Sequence, residues 1–211
     1  RTHIDWFTAA APDAWQEIAR LDHPGISVER VALVPLGLFA DPAAAEAIAQ
    51  TVAEGGEGCL LGGFVHSSNW DPAAMENLLR SATRWRLDLD LHIDEELSDN
   101  PRGLAWLAEY LSRHAFPGRL CCSHGCALAC GSEEQAEKIL RQLAAHSVTL
   151  IALPMTNLLL QDAVTGRTPR QRGITLLQEA RCAGVATLLG CDNVQDAFCP
   201  AGSYDPLDTL A

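Results

Sequence analysis

The sequence contains few basic residues, and lysine is nearly absent. Its 211 residues include a single lysine, Lys138, and the formal net charge is −12. Proteins that bind nucleic acids cluster lysine and arginine against the phosphates, so this charge balance argues against a nucleic-acid partner. A neutral or cationic small molecule is the easier ligand for such a chain.

The sequence also has no long apolar run and no phosphate-binding loop. No stretch of 18 apolar residues occurs, so we expect no membrane span. We interpret the eight cysteines as reduced thiols, which predicts a cytoplasmic protein. The glycines in GEGCLLGG (56–63) do not have the spacing of a nucleotide-binding loop. The chain begins at Arg1 without an initiator methionine or a signal segment, and we interpret this start as a cut within a longer chain.

The cysteines lack the paired C-x2-C spacing of structural zinc sites. Eight cysteines occur in the chain, and four of them lie between Cys121 and Cys130 around His124. Packed thiols in a reducing compartment are one interpretation of this cluster, and a Cys/His zinc site is the other.

Strand-like and helix-like segments alternate along the chain with a period of about 30 residues. The predicted strands are 1–5, 28–34, 59–65, 87–92, 119–122, 148–153 and 185–189, and the predicted helical stretches are 41–55, 71–85, 100–114, 132–146 and 168–184. This alternation predicts parallel strands with crossover helices, either as a doubly wound sheet or as a (β/α) barrel.

Ionisable residues favour the barrel, because they recur where the predicted strands end. His66, His92 and His124 close three strands, and Asp192 follows the last one. In a (β/α)8 barrel these ends meet at one mouth, where active sites are built. We therefore predict an α/β protein with a (β/α)8 TIM-type barrel of about seven strand–helix units, and we expect the eighth strand upstream of Arg1.

The stretch LDLDLHIDEE (87–96) and the end of the last strand have the residue types of a hydrolytic metal site. His92 and Asp192 are candidate ligands of one divalent transition metal, Zn or Fe, which activates water. Glu95 lies three residues after His92, where it can exchange protons with that water, and His124 can stabilise the oxyanion. The alternative is a strand-end histidine beside a solvated acidic loop.

Two further residues have both a functional and a structural interpretation. His66 either lines the pocket or is a satisfied core histidine. Asn157, after the sixth strand, either contacts substrate or caps a helix.

Several motifs together resemble the cytosine deaminase-like branch of the amidohydrolase superfamily. They are, in order, RTHID, LHIDEE, CSHGCAL, PMTNLLLQ with RTPRQRGIT, and GCDNVQDAFCPAGSYDPLDTL. The resemblance implies that His92 and Asp192 bind the metal, that Glu95 carries a proton to a ring nitrogen, and that His124 orients the attacking hydroxide. It also implies that Asp192 takes a proton from the water and that His66 supports the site.

The sequence departs from that family in its ligands and in its pocket. No His-x-His pair occurs, although the family's first strand carries one, and VALVPLGLFAD has Pro35 and Leu36 where cytosine deaminases place a glutamine. Asn193 replaces a second aspartate and Phe198 replaces a tryptophan, and the Asp192-Asn193 form is more similar to the triazine branch. We expect His66, Asn157, Asn193 and Phe198 to bind substrate.

The expected function is hydrolytic deamination of a small N-heterocycle by metal-bound hydroxide with a glutamate proton shuttle. The ring would be a pyrimidine, triazine, pterin or creatinine-like compound. The alternatives are an N-dealkylating or ring-opening amidohydrolase and a non-catalytic fragment that lacks the His-x-His ligands. On this interpretation residues 1–211 form the barrel from its second to its eighth strand, and any small β-domain lies outside the chain. The sequence is compatible with a homo-oligomer.

Overall fold

Strands and helices alternate throughout the computed structural model, which describes residues 1–210. The seven strands are β1 (Thr2–Asp5), β2 (Arg30–Pro35), β3 (Cys59–Val65), β4 (Leu89–Ile93), β5 (Leu120–His124), β6 (Thr149–Ala152) and β7 (Ala186–Leu189). The helices are α1 (Asp13–Ala19), α2 (Pro42–Glu54), α3 (Pro72–Trp85), α4 (Arg102–Arg113), α5 (Glu133–Ala145), α6 (Pro154–Leu160), α7 (Leu177–Cys182) and α8 (Pro206–Leu210).

The strands lie in the sheet in the order in which they occur along the chain, from β1 to β7. The pairs β1–β2, β2–β3, β5–β6 and β6–β7 are parallel. A doubly wound sheet reverses its strand order at a switch point, whereas a (β/α)8 barrel adds each strand beside the previous one. The observed order confirms the predicted α/β class and the barrel-type succession of units.

The predicted helix starts are confirmed by their caps. The Asp41 carboxylate accepts a hydrogen bond from Ala43 N at 2.9 Å, and Asp71 caps α3 in the same way through Ala73 N at 2.9 Å. Ser132 accepts from Gln135 N at 3.2 Å at the start of α5. A side-chain oxygen at this position satisfies a main-chain N–H that the helix itself cannot, which explains why these residues begin the helices.

Two compact units divide the chain. The first comprises Arg1–Leu91 with Ala115–Leu120, and the second comprises His92–His114 with the chain from Cys121 onward. The first unit buries β2, from Val31 to Val34, and the apolar faces of α2 and α3, and the second buries α4 and α5 through leucine and alanine side chains. Strands β2 and β5 are buried almost throughout, as parallel strands between crossover helices require, whereas β7 is largely exposed.

The strand predicted at 87–92 is present as β4, in which Asp90 is fully buried, because a parallel strand of this kind is covered on both sides. One sequence-based expectation differs from the structure. The stretch 168–184 was expected to be helical, but only Leu177–Cys182 forms a helix. Residues before it form an irregular loop in which Gly173 has φ +61°.

Three helices were missed by the sequence analysis: α1, α6 and α8, which have seven residues or fewer. Segments this short carry too little hydrophobic periodicity to be recognised. Within residues 1–210 we find no helix with the length and apolar content needed to span a bilayer. All eight cysteines are present as thiols, and Cys121, Cys122 and Cys126 are buried.

Candidate active site

The second unit brings together His92, from the end of β4, and His124, from the end of β5. His124 Nε2 lies 3.2 Å from His92 Nδ1, and the two rings meet edge to face with their centroids 4.8 Å apart. His124 is 2% exposed. At this distance one ring nitrogen donates its proton to the other, so the tautomer of one imidazole determines that of its neighbour.

Asn157 extends this contact chain from helix α6. Its side-chain amide nitrogen lies 3.3 Å from His124 Nδ1, and the residue is completely buried. Among residues 1–210 its Oδ1 has no hydrogen-bond partner, although it too is buried. The structure therefore places the predicted residue inside a helix and against His124, rather than at a helix cap.

Glu95 follows β4 and faces the same histidine. Its Oε1 lies 3.6 Å from His124 Nδ1, and its side chain is 21% exposed. Burial, together with the negative charges of Asp192 and Glu96, raises the pKa of Glu95 to about 7. A carboxyl group with this pKa exists in both protonation states near neutral pH, which is the requirement for a group that accepts a proton and then donates it.

Asp192 lies in the loop after β7, with a left-handed backbone at φ +61°. Its charge contributes to the raised pKa of Glu95 and also to that of Cys126, where burial is the largest cause. The structure thus brings Asp192 near Glu95, as expected from the position of each residue after a strand end.

The other two candidates from this loop, Asn193 and Phe198, belong to a turn built around Asp196. Asn193 donates through Nδ2 to Asp196 Oδ2 at 2.6 Å, and Phe198 is 66% exposed. The Asp196 carboxylate also accepts main-chain hydrogen bonds from Phe198 and Cys199, which lower its pKa. Asp196 therefore organises the turn that carries Asn193 and Phe198.

His66 belongs to the first unit, directly after β3. It is half-buried, and its ring stacks on Phe64 with the centroids 5.6 Å apart. The main-chain N–H of His66 donates to Asn69 Oδ1 at 2.8 Å, which closes a short 3-10 turn at Ser67–Asn69. The ring also contacts this turn, since His66 Nδ1 lies 3.3 Å from Ser68 Oγ.

The first unit also contains a buried acidic residue that sequence reasoning missed. Asp90 accepts a hydrogen bond from the Arg1 guanidinium at 2.6 Å and lies 3.5 Å from His3 Nε2. Burial alone would raise the pKa of Asp90, but hydrogen bonds and charges from His3 and Arg1 outweigh it, and the pKa is lowered. The sequence did contain a signal for this pairing. Asp90 stands inside an apolar strand, where a buried carboxylate requires a cationic partner, and the strand segment RTHID supplies Arg1 and His3.

Asp94 is a second missed residue, next to Glu95 in the second unit. Its carboxylate accepts the main-chain N–H groups of Gly103 at 2.9 Å and Leu104 at 2.8 Å, so it ties the end of β4 to the start of α4. Burial raises the pKa of Asp94 to about 6, and those two hydrogen bonds limit the rise. Its sequence signal was weak, since acidic residues near a strand end are common in solvated loops.

The donor set of this site fits a divalent transition metal. His92 provides an imidazole, and Asp192 provides a carboxylate close to a second carboxyl group, Glu95. His3 and Asp90 in the first unit are of the same ligand types. Burial raises the pKa of Glu95 most, and the charges of Asp192 and Glu96 add to the rise; a bound cation would relieve the repulsion between these carboxyl groups.

Comparison with known proteins places these residues in a family context. The sequence profile of the Amidohydrolase family matches residues 3–211. The chain is 35% identical over 216 residues to a protein named pterin deaminase from Rhizobium rhizogenes (strain K84 / ATCC BAA-868). The match covers 100% of this chain and 48% of the relative, so the chain spans about half the length of that curated relative.

Solved structures of similar proteins share the fold. A 5-methylcytosine deaminase from Klebsiella pneumoniae, liganded with 5-fluorocytosine, superposes with a TM-score of 0.74 and 25% identity, over 94% of this chain and 47% of that one. An N-isopropylammelide isopropylaminohydrolase from Burkholderia multivorans ATCC 17616 gives a TM-score of 0.64 at 23% identity, over 87% and 44% of the two chains. The latter likeness concerns the fold alone.

Proposed function

Because the chain belongs to the amidohydrolase family, we propose that it carries the acid–base residues of a metal-dependent deaminase that acts on a small N-heterocycle. The observation that supports this proposal most directly is the environment of Glu95. Its half-buried carboxyl group has a pKa of about 7, lies 3.6 Å from His124 and is near Asp192. Such a group suits proton transfer between water and a ring nitrogen. The expected domain content, with residues 1–211 supplying the second to eighth barrel strands, is part of this proposal.

His92 and Asp192 would hold one divalent transition metal, Zn or Fe. When bound, such a metal supplies a Lewis acid that lowers the pKa of water. A His92 that binds through Nε2 keeps its proton on Nδ1 and donates it to His124 Nε2. His124 then carries its own proton on Nδ1, on the side where Glu95 lies 3.6 Å away, and the Asn157 amide beside Nδ1 must be turned so that its oxygen, not its nitrogen, faces this proton. That N–H is available to stabilise negative charge developing on the substrate oxygen.

Glu95 and Asp192 share the proton transfers of the overall hydrolysis, and Glu95 performs the first of them. It accepts a proton as water attacks the amino-bearing ring carbon and delivers that proton to the adjacent ring nitrogen. Asp192 takes the second proton of the water and passes it to the leaving amino group. The C–N bond breaks, ammonia or an amine departs, and the ring carbon keeps the water oxygen as a carbonyl.

We base the proposed substrate class on the names of the similar proteins. The 35% identical relative is named a pterin deaminase, and the structural neighbour at 25% identity is named a 5-methylcytosine deaminase. We therefore propose a flat, amino-substituted ring as substrate, with pterin first. His66, Asn157, Asn193 and Phe198 are the proposed substrate-binding residues.

Activity of the full-length protein that carries this chain tests the proposal. The metal-loaded protein is incubated with pterin, cytosine, 5-methylcytosine and N-isopropylammelide, and released ammonia, amine and new carboxylate are measured separately. Ammonia marks deamination, an alkylamine marks N-dealkylation, and a carboxylate marks ring opening.

Replacement of the proton shuttle gives the sharpest variant. Glu95→Gln keeps the side-chain shape but cannot carry the proton, so we expect kcat to fall by about 10²–10⁴-fold while the metal remains bound. Glu109→Gln, an exposed carboxylate on α4, is the matched control and should keep wild-type activity. An active, metal-loaded Glu95→Gln protein would remove Glu95 from the mechanism.

A further inference from the structure

We propose that the loop from Gln161 to Thr175, here called the 161–175 loop, positions both Glu95 and His124 by holding their main-chain carbonyl groups. The proposal rests on the function proposed above, because it assumes that these two residues perform the acid–base chemistry. The loop's residues do not touch the reacting atoms on this view; they are positioning residues.

The first contact is made by Gln161, at the end of α6. Its side-chain Nε2 donates to the main-chain oxygen of Glu95 at 2.5 Å. The preceding residue, Asp94, has a left-handed backbone at φ +52° and is tied to α4 through Gly103 and Leu104. The Glu95 main chain is therefore held on one side by α4 and on the other by Gln161.

The second contact is made by Thr175, which is 4% exposed. Its hydroxyl donates to the main-chain oxygen of His124. His124 is a non-glycine residue with φ +72°, an unfavourable conformation that persists only when surrounding contacts impose it. The Thr175 hydroxyl and the Gly125 N–H, which donates to Ile93 O at 3.0 Å, are two such contacts.

The loop closes on itself, so these two contacts belong to one body. The Asp162 carboxylate accepts from the Arg167 guanidinium and from the main-chain N–H groups of Arg170 and Gln171. At the far end Gly173 lies against Gln161, because a Cβ on Gly173 would come within 2.4 Å of Gln161 Cγ. Gln161, which holds Glu95, therefore packs against Gly173, and Gly173 is two residues before Thr175, which holds His124.

A functional consequence follows from the short distance between the two acid–base groups. The 3.6 Å separation of Glu95 Oε1 and His124 Nδ1 is set by where their main chains are held. Proton transfer is sensitive to displacements below 1 Å, whereas contacts to a bound ring are spread over several side chains. Loss of a loop contact should therefore lower kcat with little change in KM.

The test uses paired variants at Thr175 in the full-length, metal-loaded protein with pterin as the probe. Thr175→Val removes the hydroxyl at nearly constant shape, and Thr175→Ser restores it. We expect kcat to fall at least tenfold in Thr175→Val, KM to stay within twofold, and Thr175→Ser to recover kcat to within threefold of wild type. Thr165→Val, at an exposed site in the same loop, is the control and should behave as wild type.

A second variant and a readout independent of activity keep the test decisive. Gln161→Ala should lower kcat in the same way, and it covers the case in which Thr175→Val does not fold. Hydrogen–deuterium exchange of residues 124–128 should be at least tenfold faster in Thr175→Val than in wild type or Thr165→Val, because His124 loses a contact that holds its backbone.

The outcomes separate this proposal from the proposed function. Wild-type kcat in both Thr175→Val and Gln161→Ala, or unchanged exchange at 124–128, would overturn the positioning role. If wild-type protein releases nothing from any ring compound, the proposed function fails, and the exchange measurement still decides whether the 161–175 loop holds His124.

Discussion

At the scale of single residues, the protonation state of Glu95 distinguishes this site from an ordinary strand-end loop. A solvated glutamate would be ionised near neutral pH, but burial and the charges of Asp192 and Glu96 raise the pKa of Glu95 to about 7. The folded protein therefore keeps a proton that the unfolded chain releases, and stability depends on pH in a predictable direction.

Glu95→Gln should become progressively more stable than wild type as pH rises. Between the ordinary pKa of 4.5 and about 7 the folded state binds more protons at residue 95 than the unfolded state, so the wild-type free energy of unfolding falls through this range. Above pH 7 the wild type carries the full cost of ionising the buried Glu95. We therefore expect the unfolding free energy of Glu95→Gln, taken as a difference from wild type, to be roughly 1–3 kcal/mol larger there than at low pH. Urea unfolding of chelator-treated full-length protein at several pH values measures this.

The matched control is Glu109→Gln, for an exposed carboxylate. Its difference in unfolding free energy from wild type should be nearly independent of pH over the same range. Parallel pH curves for wild type and Glu95→Gln would show that the pKa of Glu95 is not raised.

Asn157 gives a second prediction at this scale. Asn157→Leu removes the buried amide beside His124 Nδ1 at similar volume, so the imidazole loses the partner that fixes its tautomer and orientation. Loss of such an outer partner typically lowers activity about 10–100-fold, and we expect this loss in kcat for the full-length protein.

Asn77→Leu is the comparison variant, since Asn77 is also a buried amide but donates to Phe39 O, in the first unit. It should lower the free energy of unfolding without a comparable loss of kcat in the folded protein. Equal effects of both substitutions on kcat would reduce Asn157 to a packing residue.

At the scale of elements, regular segments could be predicted from the sequence and the irregular loop could not. All seven strands were placed within a few residues, and the caps at Asp41, Asp71 and Ser132 are local signals. The 161–175 loop depends instead on contacts distant in sequence, such as the one from Gln161 to Glu95. No local pattern encodes such a contact, so the sequence could not predict that Gln161 contacts Glu95 or that Thr175 contacts His124.

The tie between β4 and α4 gives a prediction for an element. Gly103 lies in the first turn of α4, where alanine would ordinarily favour the helix by about 1 kcal/mol. A Cβ there would meet Ile93 Cγ1 at 2.7 Å and Asp94 Oδ1 at 2.9 Å. Because the close contact outweighs helix propensity, we expect Gly103→Ala to lower the free energy of unfolding by about 1–3 kcal/mol.

Gly37→Ala serves as the control, since a Cβ at Gly37 has no neighbour within 4 Å in the described structure. Its unfolding free energy should stay within about 0.5 kcal/mol of wild type in the same urea titration. Gly103→Ala with wild-type stability would mean that α4 can move away from β4 at little cost.

At the scale of the whole molecule, the net charge of −12 and the clustered carboxyl groups favour a bound cation. Metal that binds only the folded state should stabilise the full-length protein by about 2.7 kcal/mol at 100 times its dissociation constant. We expect added Zn²⁺ to raise the unfolding midpoint of chelator-treated protein. The rise should be smaller in Asp192→Asn but retained in Asp205→Asn, which changes an exposed residue near α8.

The same scale shows what the sequence could and could not predict about function. Recurrence of His92, His124 and Asp192 at strand ends indicated a shared site, because parallel strands end on the same side of the sheet. The raised pKa of Glu95 depends on burial and on Asp192, 97 residues away by their numbers, and thus on the folded chain. The buried pairing of Asp90 with Arg1 likewise joins residues 89 apart.

Deamination of pterin in ¹⁸O-labelled water tests the central claim most directly. Product and ammonia are measured by mass spectrometry for the full-length protein with metal, after chelation, and as Glu95→Gln. The account predicts one ¹⁸O atom in each product and one ammonia released per product by the metal-loaded wild type. It predicts almost no product from the other two samples. Undiminished labelled product from chelated protein and from metal-loaded Glu95→Gln would contradict a metal-dependent deaminase with Glu95 as its proton shuttle.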